Sequence, residues 1–122
     1  MYPLPSSPCT LSQAIAREEG WYAHALNRPQ KCNNPGDLEH GHFTIQQGAT
    51  GTDGRFAIFD TPEEGFSCLV ALLKTPHYRD LTIAQMVNRY APSNENDTQR
   101  YINNVCQWTG LTPDTLVRDS RL

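Results

Sequence analysis

Glu18 and Glu19 are adjacent glutamates, and Gly20, Trp21 and Tyr22 follow them directly. A carboxyl that donates a proton near neutral pH needs its pKa raised. Apolar surroundings do that by disfavouring the charged form. Trp21, Tyr22 and, further along, Phe43 are candidates to supply them. The bland alternative is a pair of solvated charges at a helix end. A loop rich in turn formers, Asn33-Asn34-Pro35-Gly36-Asp37, follows shortly after. Its amides can donate and accept hydrogen bonds, Gly36 permits close backbone approach, and Pro35 stiffens the segment. Loop shaping is the competing role for each of them.

Other chemistries find little support. The histidines are His24, His40, His42 and His77, with no HExxH or comparable ligand set, so neither a metal site nor a cofactor is expected. There is no GxSxG motif and no phosphate-binding glycine loop. Cys32, beside the NNPG loop, is conceivable as a nucleophile but has no further supporting pattern. The four cysteines, Cys9, Cys32, Cys68 and Cys106, form no CxxC pair. They permit two disulfides in three connectivities or four reduced thiols, and both readings stand. Scattered Lys and Arg with a net charge of -3 argue against a nucleic-acid footprint. No apolar run is long enough to insert in a membrane, and the N-terminus lacks the pattern of a secretory signal peptide.

The elements that must position these groups are legible in outline. Residues 1–10 read as an extended, proline-rich arm, and 11–122 as a single domain. Leu11 to about Tyr22 reads as a helix capped by Thr10 or Ser12. Leu11, Ile15, Glu18 and Tyr22 share one face, and Gly20 is its terminator or bend. On that arc Glu18 lies mid-face, while Glu19 lies about 100° further round, towards the edge. Residues 27–41 read as loop. His42–Gln46 and Arg55–Phe59 read as two short strands joined through GATGTDG into a β-hairpin. Thr61 caps a helix with Pro62 at its first position, which carries Phe66, Leu69, Val70 and Leu73 and stops at Pro76. Thr82 caps the next, with Ile83, Met86, Val87 and Tyr90 at helical spacing. The polar SNEND segment follows. Thr98, Tyr101, Ile102, Val105 and Cys106 then mark a helix ending at Gly110, and Thr112-Pro113-Asp114 opens a last short turn. The expected class is α+β, mainly helical, with one small hairpin.

The segments AIAREEGWY, NNPGDL, RFAIFDTPEEGFSCLVALL and LTIAQMVNRYAPSNENDTQRYINNV together resemble phage-type and bacterial lysozyme-like proteins. Members of that group are often labelled virion structural protein or lytic transglycosylase. The resemblance runs from about Leu11 to Val105, and NNPGDL and APSNENDTQRYINNV are its specific parts. It implies a lysozyme-like fold and a general acid at the Glu directly before Gly, which is Glu19 rather than the Glu18 favoured by the helical arc. It further implies that Asn33, Asn34 and Gly36 form the floor of a sugar cleft. Tyr90, Glu95, Thr98 and Tyr101 would stand around it, with Trp21 and Tyr22 available to stack on sugars. Asp37 departs from the pattern, where Asn is more usual.

The implied activity is cleavage of the β-1,4 bond between N-acetylmuramic acid and N-acetylglucosamine in peptidoglycan, most simply by a lytic transglycosylase using one glutamate. A muramidase that hydrolyses the same bond is the alternative, with Asp37, Asp53 or Glu95 as second carboxylate; a non-catalytic peptidoglycan-binding or virion structural module is another. The expected partner is the glycan strand, and the expected place of action is the cell wall or periplasm. Delivery would be by a virion, a secretion system or another route.

Overall fold

The computed structural model describes residues 2–94 and 96–122. Glu95, expected at the cleft, therefore lies outside the described residues. Among those described, the chain forms α1 (Leu11–Glu18), α2 (Arg28–Lys31), α3 (His42–Gln46), β1 (Gly51–Thr52), β2 (Ala57–Ile58), α4 (Pro62–Lys74), α5 (Pro76–Arg79), α6 (Ile83–Tyr90) and α7 (Thr98–Thr109). A 3-10 turn, Val117–Asp119, comes last. The class is mainly helical α+β.

Side-chain caps set the starts of the long helices. Thr10, Thr61, Thr82 and Asp97 each accept a hydrogen bond from the backbone N–H three residues on. Gly110, in the left-handed region at φ 76°, ends α7. The apolar faces of α1, α4, α6 and α7 meet in one core. Leu11, Ile15, Leu69, Leu73, Ile83, Met86, Val87 and Val105 are fully buried there. A second cluster of Leu38, Ala57, Phe59 and Cys68 packs the hairpin onto α4. The C-terminal segment closes over this core: Ile83 N–H donates to Thr115 O at 2.8 Å and Val117 N–H to Leu81 O at 2.9 Å.

Three expectations are corrected. His42–Gln46 is a helix, not a strand. Thr44 is buried, and its hydroxyl both accepts from Gly41 N–H and donates to Gly41 O, which closes a helical turn, while Ile45 is 54% exposed. The hairpin is correspondingly displaced. Its first strand lies inside the glycine-rich segment read as the turn, with Gly51 opposite Ile58 and Thr52 opposite Ala57, antiparallel. Residues 27–41 are not all loop, because Asn27 caps the short helix α2.

The arm packs on the domain. Tyr2 stacks on Trp21 at 4.4 Å between ring centroids, and Cys9 N–H donates to Trp108 O at 2.9 Å. Among the described residues, no helix is long and apolar enough to cross a membrane.

Candidate active site

The end of α1 explains where the two glutamates go. Gly20 has φ 96°, its N–H donates to Arg17 O, and Trp21 N–H donates to Ala16 O. This pair of bonds around a left-handed glycine is a Schellman close. It leaves Glu19 at the C-cap, where the chain turns away and its side chain leaves the helix surface. Glu19 lines a cleft of about 260 Å³ together with Arg28, Asp37, Glu39, Arg55, Phe56, Tyr90, Ala91 and Asn96. Glu18 points elsewhere: its side chain is 8% exposed and accepts from Asn104 Nδ2 at 3.1 Å.

The surroundings of Glu19 suit a proton donor. Burial pushes its carboxyl up to about 7. The Tyr101 hydroxyl, donating to Oε2 at 2.8 Å, works in the opposite direction, and the neighbouring carboxylates of Asp37 and Glu18 push upward again. Its position at the negative end of a helix adds in the upward sense. Burial places the Tyr101 and Tyr90 phenols well above their ordinary value, so both remain hydroxyl donors.

The NNPGD loop is built differently from expectation. Asn34 is fully buried. Its amide donates to Leu38 O and Ala57 O, both at 2.9 Å, and its carbonyl accepts from Leu38 N–H at 3.0 Å. Those bonds take both of its amide hydrogens and tie the loop to β2, so Asn34 cannot contact a sugar. Asn33 donates to Phe59 O at 3.0 Å and serves the same junction. Gly36 is needed for close approach, but to the protein: the Tyr90 hydroxyl donates to its carbonyl, and an added Cβ would stand 2.6 Å from the Tyr90 hydroxyl oxygen and 3.0 Å from Leu69 Cδ1. Gly65 is the matching glycine on α4, since a Cβ there would collide with the Asn33 carbonyl. Thr98 is buried and donates to Ala91 O at 2.8 Å, bracing the turn between α6 and α7. Of the residues expected to bind substrate, Tyr90 lines the cleft and Tyr101 reaches it through Glu19. Asn34, Gly36 and Thr98 are buried in the framework behind the cleft, and Asn33 is half-buried with its amide on Phe59 O.

The aromatics are also redistributed. Trp21 is 1% exposed, sandwiched by Tyr2 and edge-on to Phe66 at 5.8 Å, so it offers no free face for stacking. Tyr22 is half-buried, and burial pushes its phenol up to about 12. Phe43 packs against the Leu38 and Phe59 cluster. None of the three lines the cleft. Phe56 does, with the Arg28 guanidinium 3.7 Å and the Arg55 guanidinium 4.9 Å from its ring centroid.

The opposite wall holds paired charges. Arg28 donates to both oxygens of Asp37, at 2.9 and 2.5 Å, and Arg55 donates to Glu39 at 2.7 Å. Asp53 accepts from the N–H groups of Arg55 and Phe56, which hold its carboxyl below the usual range in the hairpin turn. Arg28, Glu39, Arg55 and Phe56 were missed in the sequence. Phe56 reads there only as part of the Arg55–Phe59 strand, and the nine-residue separation of Arg28 from Asp37 follows no periodicity.

The Cys32 nucleophile is not supported, because the thiol is buried and burial pushes its pKa up, away from the reactive thiolate. All four cysteines are free thiols, with Cys9, Cys32 and Cys68 buried. Among the described residues no group of three or more His, Cys, Asp or Glu gathers in a metal-binding arrangement.

Comparison with known proteins gives no match: no family model, no curated protein and no solved structure matches this chain.

Proposed function

We propose that this chain is a peptidoglycan-cleaving glycosidase with a lysozyme-like fold, acting as a lytic transglycosylase on the N-acetylmuramic acid to N-acetylglucosamine β-1,4 bond. The observation that carries the reading is Glu19: a cleft carboxyl pushed up to about 7 by burial and oriented by the Tyr101 hydroxyl. Such a group is protonated over the range where a general acid works best.

Glu19 gives its proton to the glycosidic oxygen as the C1–O bond breaks. The substrate's own N-acetyl oxygen assists at C1 and carries the positive charge. The 6-hydroxyl oxygen of the same sugar then bonds to C1, the N-acetyl oxygen leaves, and the hydroxyl proton returns to Glu19. The products are a strand with an anhydro end and a strand with a free 4-hydroxyl. No second enzymatic carboxylate is required. Among the described residues the pairing of the other carboxylates favours this route, because Asp37 has both oxygens engaged by Arg28, Glu39 is paired with Arg55, and Asp53, outside the cleft lining, is tied to backbone.

Hydrolysis by a muramidase is the second reading, favoured by Asp37 and Glu39 lining the same cleft as Glu19. A hydrolase needs a partner about 5 Å from the acid to retain configuration, or about 6.5–9.5 Å to invert. Action at the cell wall follows from either substrate assignment. The test is mass spectrometry of the soluble products from purified peptidoglycan. Anhydro-muropeptides support the transglycosylase. Products with a reducing end and one added water make the protein a muramidase. No soluble product from folded protein on several wall types leaves a glycan-binding module and removes the enzyme reading.

A further inference from the structure

Both glutamates at the end of α1 reach successive turns of α7. Tyr101 takes Glu19, while Asn104, one helical turn on, takes Glu18 at 3.1 Å, and Arg100 Nη2 lies 3.6 Å from the other Glu18 oxygen. Outside this corner, Arg17 sits over the Trp108 ring at 4.1 Å and fixes the same two helices further along α7.

Glu18 is an expensive way to dock two helices. Its side chain is 8% exposed, and its cation partner Arg100 is 67% exposed and only at the edge of contact. A carboxylate removed from water with one good hydrogen bond costs stability, and an apolar pair would hold α1 to α7 at least as well. Proteins keep such costs mainly where function needs them.

We infer that Glu18 is a positioning residue for Glu19: anchored by Asn104 and Arg100, it fixes the last turn of α1 on α7 and holds a second carboxylate next to the acid. The adjacent charge does by electrostatics what burial does by desolvation. The other groups facing Glu19 are Tyr101 and Tyr90 from α7 and α6, Arg28 from α2, and Asp37 from the loop, with Glu39 and Arg55 further along the cleft. Asp37 acts on Glu19 in the same upward sense as Glu18, and Arg28, which holds Asp37 in a bidentate pair, acts in the opposite sense. Glu18 has a looser cation partner, Arg100 at 3.6 Å. Its role in turnover rests on the proton-donor reading of Glu19, but its coupling to Glu19 does not.

The experiment is a 13C-carboxyl NMR titration of Glu19 in the unmodified protein and in Glu18→Gln. The glutamine keeps the size and can still accept from Asn104, so the charge alone is removed. The Glu19 midpoint should fall by about half a pH unit or more. An unchanged midpoint in folded Glu18→Gln overturns the inference. If Glu18→Gln does not fold, Arg100→Gln decides, since it alters an exposed side chain and leaves Glu18 less neutralised. The midpoint should then rise, and no rise overturns the inference. Peptidoglycan release measured on the same samples separates the two layers. A shifted midpoint without any cleavage by the unmodified protein keeps the coupling and removes the catalytic reading.

Discussion

The corner where α1 meets α7 and the loop from Asn33 to Asp37 have similar polar content and opposite uses. At the corner, polar side chains act on one another at the edge of a cleft, and Glu19 is left with one hydrogen bond from Tyr101 and a carboxyl pushed up to about 7. In the loop, Asn34 spends its bonds on Leu38 and Ala57, Asn33 binds Phe59 O, and Gly36 receives the Tyr90 hydroxyl. The loop is a strut that holds β2, α4 and α6 in register, and the corner leaves a carboxyl facing the cleft. An amide in a loop beside a cleft is therefore no evidence of ligand contact until its hydrogen bonds are accounted for.

This contrast predicts catalytic loss without structural loss at the corner, and the reverse in the loop. The largest effect belongs to Glu19→Gln. Turnover on peptidoglycan should fall by at least about 100-fold, the contribution of a positioned general acid, while the circular dichroism spectrum is unchanged. The same substitution has a stability signature. Glu19 is raised from 4.5 to about 7 in the folded protein, so the native state holds its proton between those values while the unfolded chain releases it. Native stability therefore falls as pH rises from 4.5 to 7 and is level above that range, a loss of roughly 3 kcal/mol. Glu19→Gln removes the loss. Its urea-measured advantage over the unmodified protein should be absent at pH 4 and grow to that size by pH 8. Equal pH slopes would show that Glu19 is not desolvated as described.

In the loop, Asn34→Ala removes a hydrogen bond from the Leu38 and Ala57 carbonyls and leaves the Leu38 N–H without its side-chain acceptor, while Leu38 O keeps the Ala57 N–H. Chemical denaturation should show a loss of about 3 kcal/mol or more. Normal stability with weakened glycan affinity would restore Asn34 as a ligand group and undo the contrast. Gly36→Ala pushes a methyl against the Tyr90 hydroxyl and Leu69 and should cost about 1–3 kcal/mol in the same assay. The smallest effect is expected from Tyr101→Phe, which keeps the buried ring. Turnover should fall about 10-fold, in line with losing one hydrogen bond to a charged group. Because that bond lowers the Glu19 pKa, the alkaline limb of the rate profile should move to higher pH. Unfolding instead would make Tyr101 a core residue only.

Helix boundaries were readable because each depends on one or two neighbouring residues: the starts from Thr61 before Pro62 and Thr82 before Ile83, and the end of α7 from Gly110 after Thr109. The α3 segment was not, since Phe43 and Ile45 alternate over too few residues to separate a strand from one helical turn. Its helical state is set by a local Thr44–Gly41 bond. Within the site, helical geometry placed Glu18 and Glu19 on different sides of α1, but which one meets the cleft depends on α7, far away in sequence. Trp21 was misread because its stacking partner, Tyr2, comes from the arm. The Arg28–Asp37 and Arg55–Glu39 pairs were invisible for the same reason: both are made by folding the chain back on itself.

The central claim is that Glu19 works as a protonated acid at neutral pH. Its most direct test is the pH dependence of peptidoglycan solubilisation by the unmodified protein under substrate-limited conditions. The account predicts a rate that falls on the alkaline side with a midpoint near 7, following the Glu19 carboxyl. A rate that stays level to pH 9, or one already lost by pH 5, would contradict it.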